Sequence, residues 1–277
     1  MSRTRVERWR LRRQAKARRR AGLRGYRAGV PTWPQTEDEL LAEQARIARL
    51  ADAVEPWVPE DPETLALGGT FFASSTAARA SPSVWAAAVV LERGATVGAA
   101  VIAGSVSAAY APGLLALREG SLLEHAVRAL DRDPDVLLVN ASGRDHQRRA
   151  GLAVHLGYIL GLPTVGITDR PLLAEAPEQP SPERGSATPL VLEGRVVGAV
   201  LRTHRGARPV VVHAGWRTDP QTGVSVVMAS LGRGRTPEPI RRARHLARVA
   251  RARDEGRLPP GRASPGARTI EVKGWAR

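Results

Sequence analysis

Apolar positions along this chain change their period from segment to segment, and the changes mark out a series of short helices and strands. Thr36 followed by Glu39 is a capping-box signature, opening a helix to Ala51 with Leu40, Leu41, Ile47 and Leu50 on one face. Pro56, Pro59 and Pro62 end it. Residues 65–74 read as a buried strand, with Gly68 and Gly69 admitting close backbone packing. Residues 85–91 and 96–103 flank Glu92-Arg93-Gly94 and predict a β-hairpin. An amphipathic helix is expected over 114–130, an apolar strand over 136–139, a helix over 147–161 stopped by Gly161 and Pro163, and a buried strand over 164–168. Residues 171–188 form a loop rich in Pro, Glu and Ser; 189–192, 195–202 and 209–213 are β structure with a Glu193-Gly194 turn. Helices follow over 219–231 and 238–253. A hairpin first, then strands alternating with helices, predicts an α/β mixed sheet with helices on its faces.

Composition narrows the chemistry. With 277 residues and 43% hydrophobic content the chain can bury a sizeable core. Zero cysteines exclude a disulfide framework, a thiolate metal site and a Cys nucleophile, and fit a reducing compartment. The charge-free run 94–117 is broken by Gly104, Pro112 and Gly113, so two short elements are expected there and no membrane span. No apolar stretch follows the N-terminal charges, so a soluble, cytoplasmic protein is expected.

The formal charge of +15 is unevenly placed. Residues 1–30 carry 12 basic and one acidic side chain, and residues 233–277 carry 13 and 4, which leaves 17 basic against 22 acidic in the middle. The expected organisation is a basic N-terminal arm (1–34), a single main domain (35–254) and a basic C-terminal tail (255–277). Basic ends attract polyanions such as DNA or RNA. A preference for Arg in coding, with 40 of the 42 basic residues, is the alternative source of that charge.

Candidate chemistry lies where apolar strands end in polar residues, since side chains there are held near the edge of an open α/β sheet. One strand ends in Asn140-Ala141-Ser142-Gly143-Arg144-Asp145-His146, another in Asp169, and Tyr110-Ala111-Pro112-Gly113 leads into a helix carrying Arg118-Glu119. These segments resemble those of the endonuclease V family, nucleases that cut near deoxyinosine in DNA or inosine in RNA. Residues 110–119 are similar to the family's P-Y-x-P-G-x-L-A-F-R-E run, and 134–146 to its P-D-x-x-x-x-D-G-x-G-x-x-H-P pattern. Residues 151–157 resemble its G-x-A-S-H-x-G helix, and 162–166 its L-P-T-I-G strand. Arg202-Thr203, residues 212–215 and Pro237-Glu238-Pro239 continue the match in order, so the resemblance spans about residues 36–250.

The resemblance implies a ribonuclease-H-like fold and Mg²⁺-dependent phosphodiester hydrolysis, for which a hard cation needs clustered carboxylates. The positions implied to carry it have diverged. Glu119 is kept, as the sole carboxylate expected at the metal; so is His146, followed by Gln147 where the family has Pro. Thr70 (or Phe71, with a one-residue slip) and Asn140 replace two aspartates, Asp169 replaces a lysine, and Trp216 replaces a histidine. Four of six expected catalytic positions are thus substituted. Asp145, Asp169 and His213 are the groups that could compensate in a rearranged centre. Tyr110 with Pro112 resembles the family's strand-separating wedge, Gly143 lies where a flipped base would approach, Ala141 replaces a glycine there, and Arg148, Arg149 and Arg202 are candidate phosphate contacts. The expectation is a nucleic-acid-binding relative with weak or lost hydrolysis, with Mg²⁺ as cofactor only if activity survives. The alternatives are an active enzyme with a rebuilt metal site, and a protein-interaction scaffold whose basic tails bind an acidic partner.

Overall fold

Nine strands among the described residues form one mixed sheet, in the order β6-β7-β8-β5-β4-β1-β2-β3-β9. The computed structural model describes residues 32–75, 83–106, 113–259 and 267–271. Tyr110 and Pro112, expected to form a wedge, and residues 1–31 of the expected N-terminal arm lie outside them.

The chain enters through α1 (Glu37–Ala53), whose capping box is formed as expected: the Thr36 hydroxyl accepts from the Glu39 N–H, and the Glu39 carboxylate accepts from the Thr36 N–H. Strand β1 (Leu67–Ser74) pairs antiparallel with β2 (Ser83–Glu92), and β2 with β3 (Ala95–Ser105) through a two-residue turn with positive φ at Arg93 and Gly94. Then come α2 (Leu115–Arg128), β4 (Val136–Val139), α3 (Leu152–Leu160) and β5 (Thr164–Thr168). The hairpin β6 (Ala187–Leu192) and β7 (Arg195–Leu201) is followed by β8 (Val210–Ala214), α4 (Pro220–Ala229) and α5 (Glu238–Asp254). Strand β9 (Ala267–Glu271), inside the expected basic tail, pairs parallel with β3 at the sheet's edge.

Helices cover both faces because strands β1 to β5 are apolar on both. One core joins the sheet to α2 and α3, with Leu40 of α1 reaching it. Trp33, within residues 1–34, belongs to that core: it covers Gly120, stacks on His155 at 4.5 Å, and donates from its indole to Glu124 at 2.7 Å. On the opposite face α4 and α5 pack through Val226, Val227, Ile240, Ala243 and Ala247. Gly69 sets the position of α5, since a Cβ there would lie 2.3 Å from the carbonyl carbon of Pro239.

The helix expected over 147–161 begins only at Leu152. Arg149 has a φ of 51°, and the Gly151 N–H is held by the Gly143 carbonyl at 2.9 Å, so residues 143–151 fold back as a compact loop. Among the described residues no helix is long and apolar enough to cross a membrane.

Candidate active site

Strands β1, β4 and β5 run parallel to one another, with Thr70 beside Val139 and Val139 beside Gly166. Their C-terminal ends therefore share one edge, and the residues at those ends are delivered there: Phe71 and Ser74 on β1, Asn140 after β4, and Thr168 and Asp169 at β5. Phe72 packs with α2 and Phe71 with α5, so by alternation Thr70 faces the α2 side. Thr70 is buried and its hydroxyl meets no partner among the described residues.

Glu119 lies on α2 and is largely buried, and its only resolved electrostatic partner among the described residues is Arg118. Burial pushes its carboxyl up to about 7, with the Arg118 guanidinium opposing the shift. A carboxylate ready to hold Mg²⁺ needs to be ionised and joined by others. Among the described residues no three His, Asp or Glu side chains gather closely enough to hold a metal ion. The linkage has a definite sign. The folded-state value of about 7 exceeds the ordinary 4.5, so the carboxyl is neutral in both states below pH 4.5, and its stabilising effect is lost as pH rises through 7. Glu119→Gln is expected to match the wild type at pH 4 and to exceed it by about 2 kcal/mol at pH 8, read from urea midpoints at each pH. Equal pH profiles for the two proteins would contradict this.

Asn140 is exposed, and its Oδ1 accepts from the Arg244 guanidinium at 3.5 Å, the long end of the hydrogen-bond range. Asp169 is also exposed and ion-paired with Arg235 at 2.5 Å; that guanidinium, followed by Arg208 and Arg244, holds its carboxyl below the usual range. It is committed to these arginines and does not join Glu119.

Asp145 is fully buried. Its carboxylate accepts from the backbone N–H groups of Leu172, Leu173 and Ala174 at 2.6 to 2.9 Å, and Nδ1 of the buried His213 lies 3.7 Å away. The His213 Nε2–H donates to the Thr168 hydroxyl at 2.7 Å, which in turn donates to the Arg170 carbonyl at 2.7 Å. Burial holds His213 at about 4, with Asp145 opposing, so it is neutral at neutral pH. Both groups tie the 168–174 segment to the sheet. His146 is buried too: Nε2–H donates to the Gly113 carbonyl at 3.3 Å, and Nδ1 accepts from the Arg148 N–H at 3.2 Å. Burial first, and Arg148 second, lower it to about 4. It fastens the segment that leads into α2.

The arginines proposed as phosphate contacts are occupied within the chain. Arg148 donates to Gln44, Gln147 and the Gly113 carbonyl, and Arg149 lies 3.5 Å from Asp52. Arg202 donates to the carbonyls of Pro180, Ser181 and Ala207. Arg148 and Arg149 also line a cavity of about 380 Å³ with Arg49, His146, Leu173 and Glu193. Gly143 presses on β8, where a Cβ would lie 2.1 Å from the Ala214 carbonyl oxygen. Ala141 fits without a bulge, 4% exposed. Trp216 is in the core beneath α1, edge-on to Tyr158 at 5.2 Å.

Arg244 is the residue that the motif pattern does not reveal. From α5 it reaches Asn140, stacks its guanidinium over the Phe71 ring at 5.0 Å, and interacts electrostatically with Asp169. The signal available in the sequence was the spacing of Arg244, Arg248 and Arg251, which places three guanidiniums on one stripe of a helix.

Polar residues at the joined ends of three parallel strands, in a mixed sheet with helices on both faces, define a ribonuclease-H-like fold. The endonuclease V family model matches residues 58–245. The chain is 38% identical over 220 residues to the endonuclease V of Streptomyces avermitilis, covering 79% of this chain and 93% of that protein. It is 44% identical over 156 residues to the endonuclease V of Methanopyrus kandleri, covering 56% of this chain and 67% of that one. The crystal structure of the Streptomyces avermitilis protein superposes with a TM-score of 0.73 at 37% identity, over 82% of this chain and 98% of that chain. The chain belongs to the endonuclease V family, a family of metal-dependent nucleases. A Ciona intestinalis endonuclease V, solved with a 24mer DNA containing an inosine followed by a ribo-adenosine, shares the fold at 19% identity and a TM-score of 0.64, covering 79% of this chain and all of that one.

Proposed function

We propose that this protein binds inosine-containing DNA or RNA in the cytoplasm and has weak or lost phosphodiester hydrolysis. Family membership supports the ligand class. The single observation that carries the loss is the donor set at the strand ends: a hydroxyl at Thr70, an amide at Asn140, and a lone, desolvated Glu119. Mg²⁺ is the cofactor the family resemblance suggests, and it does not fit this set. A hard divalent ion prefers several anionic oxygens, and here a guanidinium stands against the one exposed oxygen at the end of β4. Asp145 and Asp169 offer no remedy, the first being saturated by backbone N–H groups and the second by Arg235.

Binding is measured by fluorescence anisotropy on matched oligonucleotides with and without inosine, over a salt series with excess chelator. Binding that persists in chelator and weakens steeply with salt is the expected result. No binding to any of the oligonucleotides would sink the proposal and favour a protein-interaction role.

A further inference from the structure

The Arg244 guanidinium makes no direct ion pair among the described residues, and Asp169 acts on it only from beyond ion-pair distance. Its Nε is buried and meets no acceptor, and no carboxylate lies within ion-pair distance of it among the described residues. Burial disfavours its charge, Arg248 adds repulsion, Asp169 favours the charge, and Arg235 again opposes it. Arg248, one turn along, is exposed. Arg251, a further turn along the same stripe, donates to the Ser74 carbonyl at 3.0 Å, and Arg118 reaches the Ser74 hydroxyl from α2 at 2.9 Å. From Arg244 to Arg251 the stripe covers about 10 Å of helix, following the sheet edge from Asn140 to the end of β1.

We propose that Arg244 supplies from α5 the positive charge of this site in place of a divalent cation, and with Arg248 forms a metal-independent binding site for the phosphodiester backbone of a nucleic-acid strand. The inference rests on the nucleic-acid reading above and names the residues that carry it. Guanidinium suits this role, being planar, permanently charged, weakly hydrated and able to grip two phosphate oxygens at once. Asn140 and the Phe71 ring hold Arg244 at the edge without neutralising it, so its charge remains available to an anion. A polyanion with regularly spaced charges matches a row of guanidiniums better than a single small anion does. With Thr70 and Asn140 where the resemblance implies carboxylates, Arg244 makes this edge a centre that is itself cationic rather than one that holds a cation.

The test uses the full chain and a fluorescein-labelled inosine oligonucleotide, in excess chelator and again in Mg²⁺. Wild-type affinity is expected to be the same in both. Arg244→Ala is expected to weaken binding by about tenfold and to lower the salt slope by about one. Arg244→Lys should recover part of the affinity, keeping the charge without the fork. Arg248→Ala, an exposed change that leaves the core untouched, is expected to cost about threefold. Wild-type affinity retained within about twofold by both alanine variants would overturn the inference and leave the nucleic-acid reading standing, and so would binding that requires Mg²⁺. If the wild type itself fails to bind, the broader reading fails.

Discussion

Inosine-containing duplex DNA incubated with this protein and Mg²⁺ or Mn²⁺ is expected to be cut at least ~10³-fold more slowly than by a relative that keeps the acidic positions. Single-turnover gel assays measure it directly. A factor of that size corresponds to about 4 kcal/mol of lost transition-state stabilisation, which is modest for removing a catalytic cation. Three features of the site combine. Thr70 and Asn140 contribute no charge, Glu119 is desolvated enough to be half protonated near pH 7, and Arg244 repels a second cation at the edge where Asn140 stands. The triple variant Thr70→Asp, Asn140→Asp, Arg244→Ala tests the same reasoning in reverse. It is expected to be less stable than the wild type without metal, since two carboxylates then share a desolvated edge, and to gain stability on adding Mn²⁺. Cleavage by the wild type within about tenfold of the active relative would show that the family's donor set is dispensable here.

Much of the fold was legible because strand ends and turns have local signals. The Thr36 cap, the Arg93-Gly94 and Glu193-Gly194 turns, and the apolar strands β4 and β5 all form where period and turn residues place them. The start of α3 was not legible, because the apolar period runs upstream into residues buried for another reason. His146 and Ala150 are inside the core as parts of a folded-back loop, and nothing in their pattern announces the positive φ at Arg149. Strand β9 was missed for a different cause: a five-residue edge strand is recruited by the open side of β3, a tertiary effect with no period of its own. At the site, the motif order located Glu119, Asn140, His146 and Asp169 in the chain but could not say what each one touches. Arg148 and Arg202 have the charge of phosphate contacts, yet each is committed to carbonyl oxygens that only the folded chain brings near. Arg244 lay unnoticed within the basic C-terminal segment, where one guanidinium among many carries no mark of its position. That segment is therefore more than a diffuse electrostatic tail, because its helix delivers a cation to the strand ends.

Asp145→Asn is expected to lower the stability of the protein by about 3 kcal/mol, measured by urea denaturation. The substitution is nearly isosteric, and its cost comes from hydrogen-bond polarity. One carboxylate oxygen accepts from Leu172, and the other from both Leu173 and Ala174. Whichever way the amide of an Asn is turned, its NH₂ faces at least one backbone N–H, leaving a buried donor unsatisfied on each side. Loss of the negative charge also removes the group that favours protonation of the buried His213. Amide hydrogens of residues 172–174 should exchange faster in the variant, because the carboxylate is their acceptor. Mg²⁺ separates this structural role from a catalytic one. If Asp145 were a ligand of a rebuilt metal centre, Mg²⁺ would stabilise the wild type and widen the gap to the variant. With Asp145 saturated by backbone donors, the gap is expected to be the same with and without the ion. The acidic side chain next to the site then holds the 172–174 segment in place, and the chemistry of the edge is left to Glu119, Asn140 and the arginines of α5.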